Sequence, residues 1–289
     1  MKRMSKGAKT GWSIGLVAVV LGAVALLPRL RADDASQGAG GAARLSSVEG
    51  QVQISQGGQI LADPALVNTP LFAGTQIETG DDGKAEIQFD DGTIARISPD
   101  SSLTLRTISE GGVTEIVLDG GLAYFELQGN GPAGDTRIRF GDAVATASSF
   151  TVMRVKLDNP PGELAIFSGD AHLQQGNGLA VDLRGGESIA LSTGNGGRYN
   201  LSQTIEPDSW DTWNSDRDEA LNAAATDQTE AAREVTNNDN SNPQWNDLDA
   251  NGNWYNVPGQ GYVWSPYEAS SVSWDPYGCG HWMWTPQFG

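Results

Sequence analysis

Short stretches in which apolar and polar residues alternate recur between Arg44 and Ser192, and they constrain the fold more than any other feature. Alternation with a period of two is typical of strands that bury one face of a sheet. The clearest case joins Lys84–Phe89 to Thr93–Ile97 through Asp90-Asp91-Gly92, where glycine permits the positive φ of a tight turn. Such strands, with no helical pattern between them, predict an all-β roll or barrel of short antiparallel strands, or a sandwich.

The charge is strongly negative and unevenly distributed. The chain carries 36 acidic and 18 basic residues, for a net charge of -18, and every acidic residue lies at or after Asp33. Six of the basic residues precede Asp33, so the remainder sets 12 basic against 36 acidic residues, a net charge of -24. Such a field repels nucleic-acid phosphates and anionic lipid head groups, so we predict no nucleic-acid partner.

The first 32 residues have the pattern of an export signal. Basic residues at positions 2, 3, 6 and 9 precede an uncharged run over 10–27, and Arg29 and Arg31 follow it. Because this charge placement keeps an N-terminus in the cytoplasm, we predict that residues 1–32 form a cytoplasmic stub and a signal-anchor helix in the bacterial inner membrane, with the main part periplasmic. The alternative is a cleaved signal and secretion, although Leu30 is not the small residue that signal peptidase prefers. Residues 33–43 are Gly-rich and predict a linker.

A helix and an aromatic tail are predicted after the β region. Acidic residues follow Pro207 and alanines fill 220–232, so we predict a helix over 207–235 that docks on the β domain. In the tail, 236–289, tryptophans recur with a period of ten, and each repeat predicts one short strand and a turn. The candidate binding residues are the aromatic ones of these repeats: Trp254, Trp264, Tyr267, Trp274, Tyr277 and Trp284.

The tail aromatics admit more than one interpretation. They fit a small β module whose packing depends on tryptophan because aliphatic residues are scarce. They also fit a row of exposed rings that stack on sugar faces, with Asp275, Asn256 and Glu268 as hydrogen-bond partners, or else a protein interface.

The sequence lacks the usual signatures of catalysis and metal binding. It contains no G-x-S-x-G, no H-E-x-x-H and no phosphate-binding glycine loop. Asp247-x-Asp249-x-Asn251-Gly252 matches the first half of an EF-hand loop, but Pro258 stands where the twelfth ligand belongs. Cys279 and His281 have no second pair to complete a zinc site. We therefore predict a protein that is not an enzyme and has no cofactor.

An ordered set of turn and strand motifs runs from Val48 to Ser188. The motifs are Val48-Glu-Gly50-Gln-Val52, Leu71-Phe-Ala-Gly74-Thr-Gln-Ile77-Glu-Thr79-Gly80, Asp91-Gly92-Thr93, Ala143-Val-Ala-Thr146, Phe150-Thr-Val152, Ile166-Phe-Ser-Gly169-Asp-Ala171 and Gly186-Glu-Ser188. Together they resemble the FecR domain, here placed at 44–202. One departure is Ala147-Ser148-Ser149-Phe150, where the family has R-G-T-x-F. The tail resembles a Trp- and Tyr-rich domain of unknown function that follows FecR domains in envelope proteins.

The resemblance implies a module of envelope signalling or assembly that binds a partner protein. FecR proteins that regulate sigma factors carry a cytoplasmic domain before the membrane helix, whereas about a dozen residues precede the predicted helix here. A standard anti-sigma role would therefore need a partner to supply that part. The alternative function is binding of cell-wall peptidoglycan or exopolysaccharide by the aromatic repeats.

Overall fold

The computed structural model describes residues 43–109, 112–129, 134–157, 162–176, 178–191, 199–226, 251–259 and 261–275. These residues form twenty strands, one α-helix and one 3-10 turn. The strands are β1 (Ala43–Glu49), β2 (Val52–Gln56), β3 (Gln59–Ala62), β4 (Pro70–Leu71), β5 (Thr75–Thr79), β6 (Lys84–Phe89), β7 (Ile94–Ile97), β8 (Ser102–Thr107), β9 (Gly112–Gly120), β10 (Leu122–Leu127), β11 (Gly134–Phe140), β12 (Ala143–Ala147), β13 (Thr151–Lys156), β14 (Glu163–Ser168), β15 (Asp170–Gln175), β16 (Ala180–Arg184), β17 (Ser188–Leu191), β18 (Tyr199–Ser202), β19 (Gly252–Val257) and β20 (Gly261–Pro266). The helix is α1 (Ser209–Thr226), and the 3-10 turn is Tyr267–Ser270.

Two nine-stranded sheets make up the β domain. Sheet A has the order β18-β17-β14-β13-β10-β7-β6-β1-β4, and sheet B has the order β16-β15-β12-β11-β9-β8-β5-β2-β3. The chain passes repeatedly from one sheet to the other, so both orders follow the sequence except at one edge, where β4 lies outside β1 and β3 lies outside β2. The neighbours are antiparallel except β9 and β11, which run parallel. This architecture confirms the predicted all-β class with antiparallel sheets and one helix.

The core lies between the two sheets, where the inward residues of both form one hydrophobic cluster. Ile87 and Phe125 enter it from sheet A, and Ile77, Leu103 and Ile138 enter it from sheet B. All five side chains are fully buried. Burying one such side chain contributes about 1.5–3 kcal/mol. The alternation that marks each strand in the sequence is therefore the alternation between this core and the outer faces.

The predicted hairpin is formed by β6 and β7. Ile87 pairs with Ala95, and Gly92 in the connecting turn has a φ of 85°. The backbone N–H of Thr93 donates to Asp91 Oδ1 at 2.8 Å, which fixes the turn. The Asp-Gly turn therefore adopts the tight-turn conformation that its sequence predicts.

Helix α1 follows the last strand of sheet A. Asp208 Oδ1 accepts a hydrogen bond from the Trp210 N–H at 2.6 Å, and an acidic residue, Asp211, occupies the first turn. Both features stabilise a helix N-terminus. The predicted helix, 207–235, is thus present as Ser209–Thr226, and the remainder of that prediction lies outside the described residues.

The predicted membrane helix lies outside the described residues, which begin at position 43. Within the described part of the chain, no helix has the length and apolar character needed to cross a membrane.

Candidate functional site

The outer face of sheet A carries a polar row that helix α1 contacts. Register places Glu86 on β6 opposite Arg96 on β7, Arg96 opposite Tyr124 on β10, and Tyr124 opposite Arg154 on β13. Arg96 and Glu86 are fully buried, and the Arg96 guanidinium lies 5.8 Å from the centre of the Tyr124 ring. These residues point away from the core, so an outer face that the alternation alone would leave in water is instead buried.

Arg96 is the centre of this row. Its Nε lies 2.7 Å from Glu86 Oε2, its Nη1 lies 2.8 Å from Glu126 Oε1, and its Nη2 lies 2.6 Å from Asp218 Oδ1. The Glu126 and Asp218 contacts are charge contacts rather than aligned hydrogen bonds, because those two oxygens and Nη2 have no hydrogen-bond partner within the described residues. One buried cation thus holds three carboxyl groups.

Helix α1 supplies the other half of the cluster from one of its faces. Arg217 donates from Nε and Nη2 to the two carboxylate oxygens of Glu86, at 3.0 and 2.9 Å. Asn214, which is fully buried, and Asp218 reach Arg96. Their spacing of three and four residues puts them on one face of the helix. Charged and amide groups on one face of α1 therefore help to hold the helix on sheet A.

Charge balance in the cluster shifts two pKa values in opposite directions. Burial alone would raise the pKa of Glu86, but the Arg217 hydrogen bonds and the charges of Arg96 and Arg217 lower it below its ordinary value. Burial raises the pKa of Glu126 to about 8, and the carboxyl of Asp218 adds to the rise while Arg96 opposes it. Two guanidinium groups face three carboxyl groups, so one proton held by Glu126 makes the cluster neutral.

A second set of contacts holds the start of α1. Arg154 Nη1 donates to Asp211 Oδ2 at 2.5 Å, and its Nη2 donates to the backbone carbonyl of Glu206 at 3.2 Å. The Arg154 guanidinium also lies 5.6 Å from the centre of the Phe167 ring. Trp210 is buried beside this contact and stacks on Trp213, with ring centroids 4.4 Å apart. The start of α1 and the segment before it therefore contact the outer face of sheet A.

The outer face of sheet B, in contrast, carries an open groove of about 1000 Å³. It crosses β11, β12, β15 and β16, where register aligns Arg137 with Thr146, Thr146 with His172, and His172 with Asp182. His172 Nδ1 lies 2.6 Å from Asp182 Oδ1. Arg137 is exposed, and its guanidinium has no hydrogen bond or ion pair within the described residues.

The tail aromatics are placed by a hairpin of β19 and β20. Trp254 pairs directly with Trp264 across it, so both indoles lie on one face. Gly252 lies against the second indole, because a Cβ added there would be 2.5 Å from Trp264 Cε2. A period of ten matches the hairpin because the turn at Pro258-Gly259 lies midway between the two tryptophans.

Four further predicted site residues are not part of that pair. Tyr267 is half exposed in the 3-10 turn, and Trp274 is partly buried just beyond it. Tyr277 and Trp284 lie outside the described residues. The structure thus brings together two of the six predicted residues, and the ligand role of all six stays a prediction.

Sequence reasoning missed both the cluster under α1 and the groove. Glu86, Arg96 and Arg154 stand at the polar positions of alternating strands, which normally face solvent. A usable signal was the helix itself, whose Asp211, Asn214 and Asp218 recur at helical spacing without an apolar stripe. In the described part of the chain, no group of three or more His, Cys, Asp or Glu side chains is placed to hold a metal ion.

Comparison with known proteins identifies the central part of the β domain. Residues 75–172 match the model of the FecR protein family, so the chain contains a FecR domain, as its motifs predicted. Two crystal structures of a candidate anti-sigma factor from Parabacteroides distasonis share 13% and 14% identity, each with a TM-score of 0.39. The match covers 45% of this chain and 59% of that one, so this chain spans less than two thirds of that protein. No curated protein matches this chain.

Proposed function

We propose that this chain is a non-catalytic, FecR-like envelope protein that binds a partner protein through the outer face of sheet B. The observation that carries the proposal is the contrast between the two outer faces. Helix α1 covers the charged row of sheet A, whereas the groove of sheet B is open and lined by the exposed, unpaired guanidinium of Arg137. The matched FecR segment, 75–172, includes two of the four groove strands, β11 and β12, and the first half of a third, β15.

The cellular setting follows from the sequence. The membrane helix predicted within residues 1–32 would anchor the chain in the inner membrane, with the β domain in the periplasm. The net charge of -18 disfavours nucleic acid and anionic lipid as partners. Partner binding would then serve periplasmic signalling or envelope assembly.

The test is affinity capture from native envelope extract, with the full chain in detergent as bait. Arg137→Glu reverses one exposed groove charge, and Arg184→Glu reverses a second, on β16. The matched control is Arg106→Glu, because Arg106 is 60% exposed on sheet B but lies outside the groove lining. We expect one protein that the wild type and the control retain and that the double groove variant loses. Equal capture of that protein by all three baits would contradict the proposal.

A second candidate function is binding of cell-wall glycan or exopolysaccharide by the tail. The favouring observation is the direct pairing of Trp254 with Trp264, which places two indoles side by side on one face of a hairpin. The test is pull-down of the full chain on isolated peptidoglycan and on exopolysaccharide, compared with Trp254→Ala/Trp264→Ala. Retention by the wild type and loss by the double variant would support it, and equal retention would exclude the tryptophan pair as the contact.

A further inference from the structure

We infer that the groove of sheet B binds an extended peptide segment carrying both cationic and anionic side chains. This inference rests on the proposed function, because it names the part of the partner that enters the groove. It follows from the shape of the groove, from the charges that line it, and from the residue types that its lining lacks.

The shape is set by β12, the strand along the floor of the groove. Its outward residues are Val144 and Thr146, followed by Ser148, and all three are short. The neighbouring strands carry longer side chains, with Arg137 on β11 and His172 on β15. The trough between those walls is two strand spacings wide, about 10 Å, which accommodates one extended chain lying along β12.

The lining carries side chains of both signs of charge. Arg137 lies on the β11 wall, and Arg184 lies on β16, just beyond the β15 wall; these two strands are three strand spacings or about 14 Å apart. Both guanidinium groups are exposed and unpaired within the described residues. Asp170 lies opposite Arg184 in the strand register, but their side chains form no ion pair. Asp182 and Asp135 also line the groove.

This arrangement discriminates among ligand classes. A polyanion would place charges beside three aspartates, and a polycation would place charges beside the arginines; both juxtapositions oppose binding. Among the described residues, no Phe, Tyr or Trp lines the groove, so it lacks the flat apolar platform on which a sugar ring stacks. A peptide with both signs can satisfy the arginines with carboxylates and the aspartates with ammonium or guanidinium groups.

The test begins with a displayed library of random peptides of fixed length, panned on the full chain in detergent. Enriched sequences are synthesised together with all-acidic, all-basic and uncharged analogues, and their affinities are measured by fluorescence anisotropy. We expect only peptides of mixed charge to bind. Arg137→Glu should weaken them at least tenfold, while Arg106→Glu should change their affinity less than twofold.

Exchanging the charges of the peptide and the groove distinguishes the loss of one contact from misfolding of the variant. If a peptide carboxylate meets Arg137, replacing that acidic residue by lysine should restore binding to Arg137→Glu. Enrichment of single-sign peptides, no enrichment, or binding that Arg137→Glu leaves unchanged would overturn the inference. If those peptide results are negative while a protein is still captured through the groove, the proposed function stands and the peptide inference fails. If mixed-charge peptides bind but no protein is captured, the proposed function fails instead.

Discussion

Removing the central cation of the cluster under α1 should destabilise the β domain strongly. Arg96→Met keeps much of the side-chain volume but leaves the buried carboxyl groups of Glu86, Glu126 and Asp218 without the guanidinium that lies 2.6–2.8 Å from them. Breaking a buried ion pair by deleting one partner costs about 3–5 kcal/mol, because the remaining charge stays desolvated. In a domain of this size each kcal/mol lowers Tm by about 2–4 °C, so we expect a fall of about 6–20 °C.

The measurement is the free energy of unfolding by urea titration, followed by tryptophan fluorescence, because Trp210 and Trp213 lie on the helix that the cluster holds. The control is Arg106→Met. Arg106 is 60% exposed and lies 3.5 Å from Glu115, a surface pair whose loss should cost no more than about 1 kcal/mol. If Arg96→Met and the control lowered the unfolding free energy by the same small amount, α1 would not depend on the buried charges, and the reasoning would be wrong.

Two further predictions concern pH and turn geometry. The pKa of Glu126 is raised to about 8 from its ordinary 4.5, so the folded protein retains a proton that the unfolded chain releases; this stabilisation is complete below pH 4.5 and is lost as pH rises through 8. Glu126→Gln should therefore flatten the fall of the unfolding free energy between about pH 4.5 and 8, and a slope equal to that of the wild type over that range would count against the raised pKa of Glu126. Gly169→Ala should cost about 3 kcal/mol in a denaturant titration, because its φ is 79° and a Cβ would lie 2.2 Å from the Phe150 carbonyl oxygen. Gly178→Ala, at a φ of 91° with open space around it, should cost only about 1 kcal/mol, and equal losses would show that the close approach is unimportant.

The parts of the fold that were predictable from sequence are those that local chemistry decides. The β6–β7 hairpin depends on the alternation of Lys84–Phe89 and on the conformational freedom of Gly92, which are both visible in a few residues. The start of α1 depends on a nearby acidic cap, Asp208. The pairing of Trp254 with Trp264 was implicit in their spacing, although the sequence does not show that the turn lies midway between them.

The cluster and the groove were not predictable because both depend on long-range register. Glu86 and Arg217 are 131 positions apart, and only the docking of α1 on sheet A brings them together. The groove requires β11, β12, β15 and β16 to be neighbours, and the parallel pairing of β11 with β9 joins these four strands to the rest of sheet B. Alternation gives the outward positions of a strand, but it does not reveal whether another element of the chain covers them.

Site-specific photo-crosslinking in intact cells tests the central claim, partner binding at sheet B, most directly. A photoreactive residue placed at Gln174, which is exposed and lines the groove, should give one discrete crosslinked protein. The same residue at Glu219, on the exposed side of α1, should not give that product. A partner crosslinked from Glu219 and absent from Gln174 would contradict the claim and place the interface on the helix side of the domain.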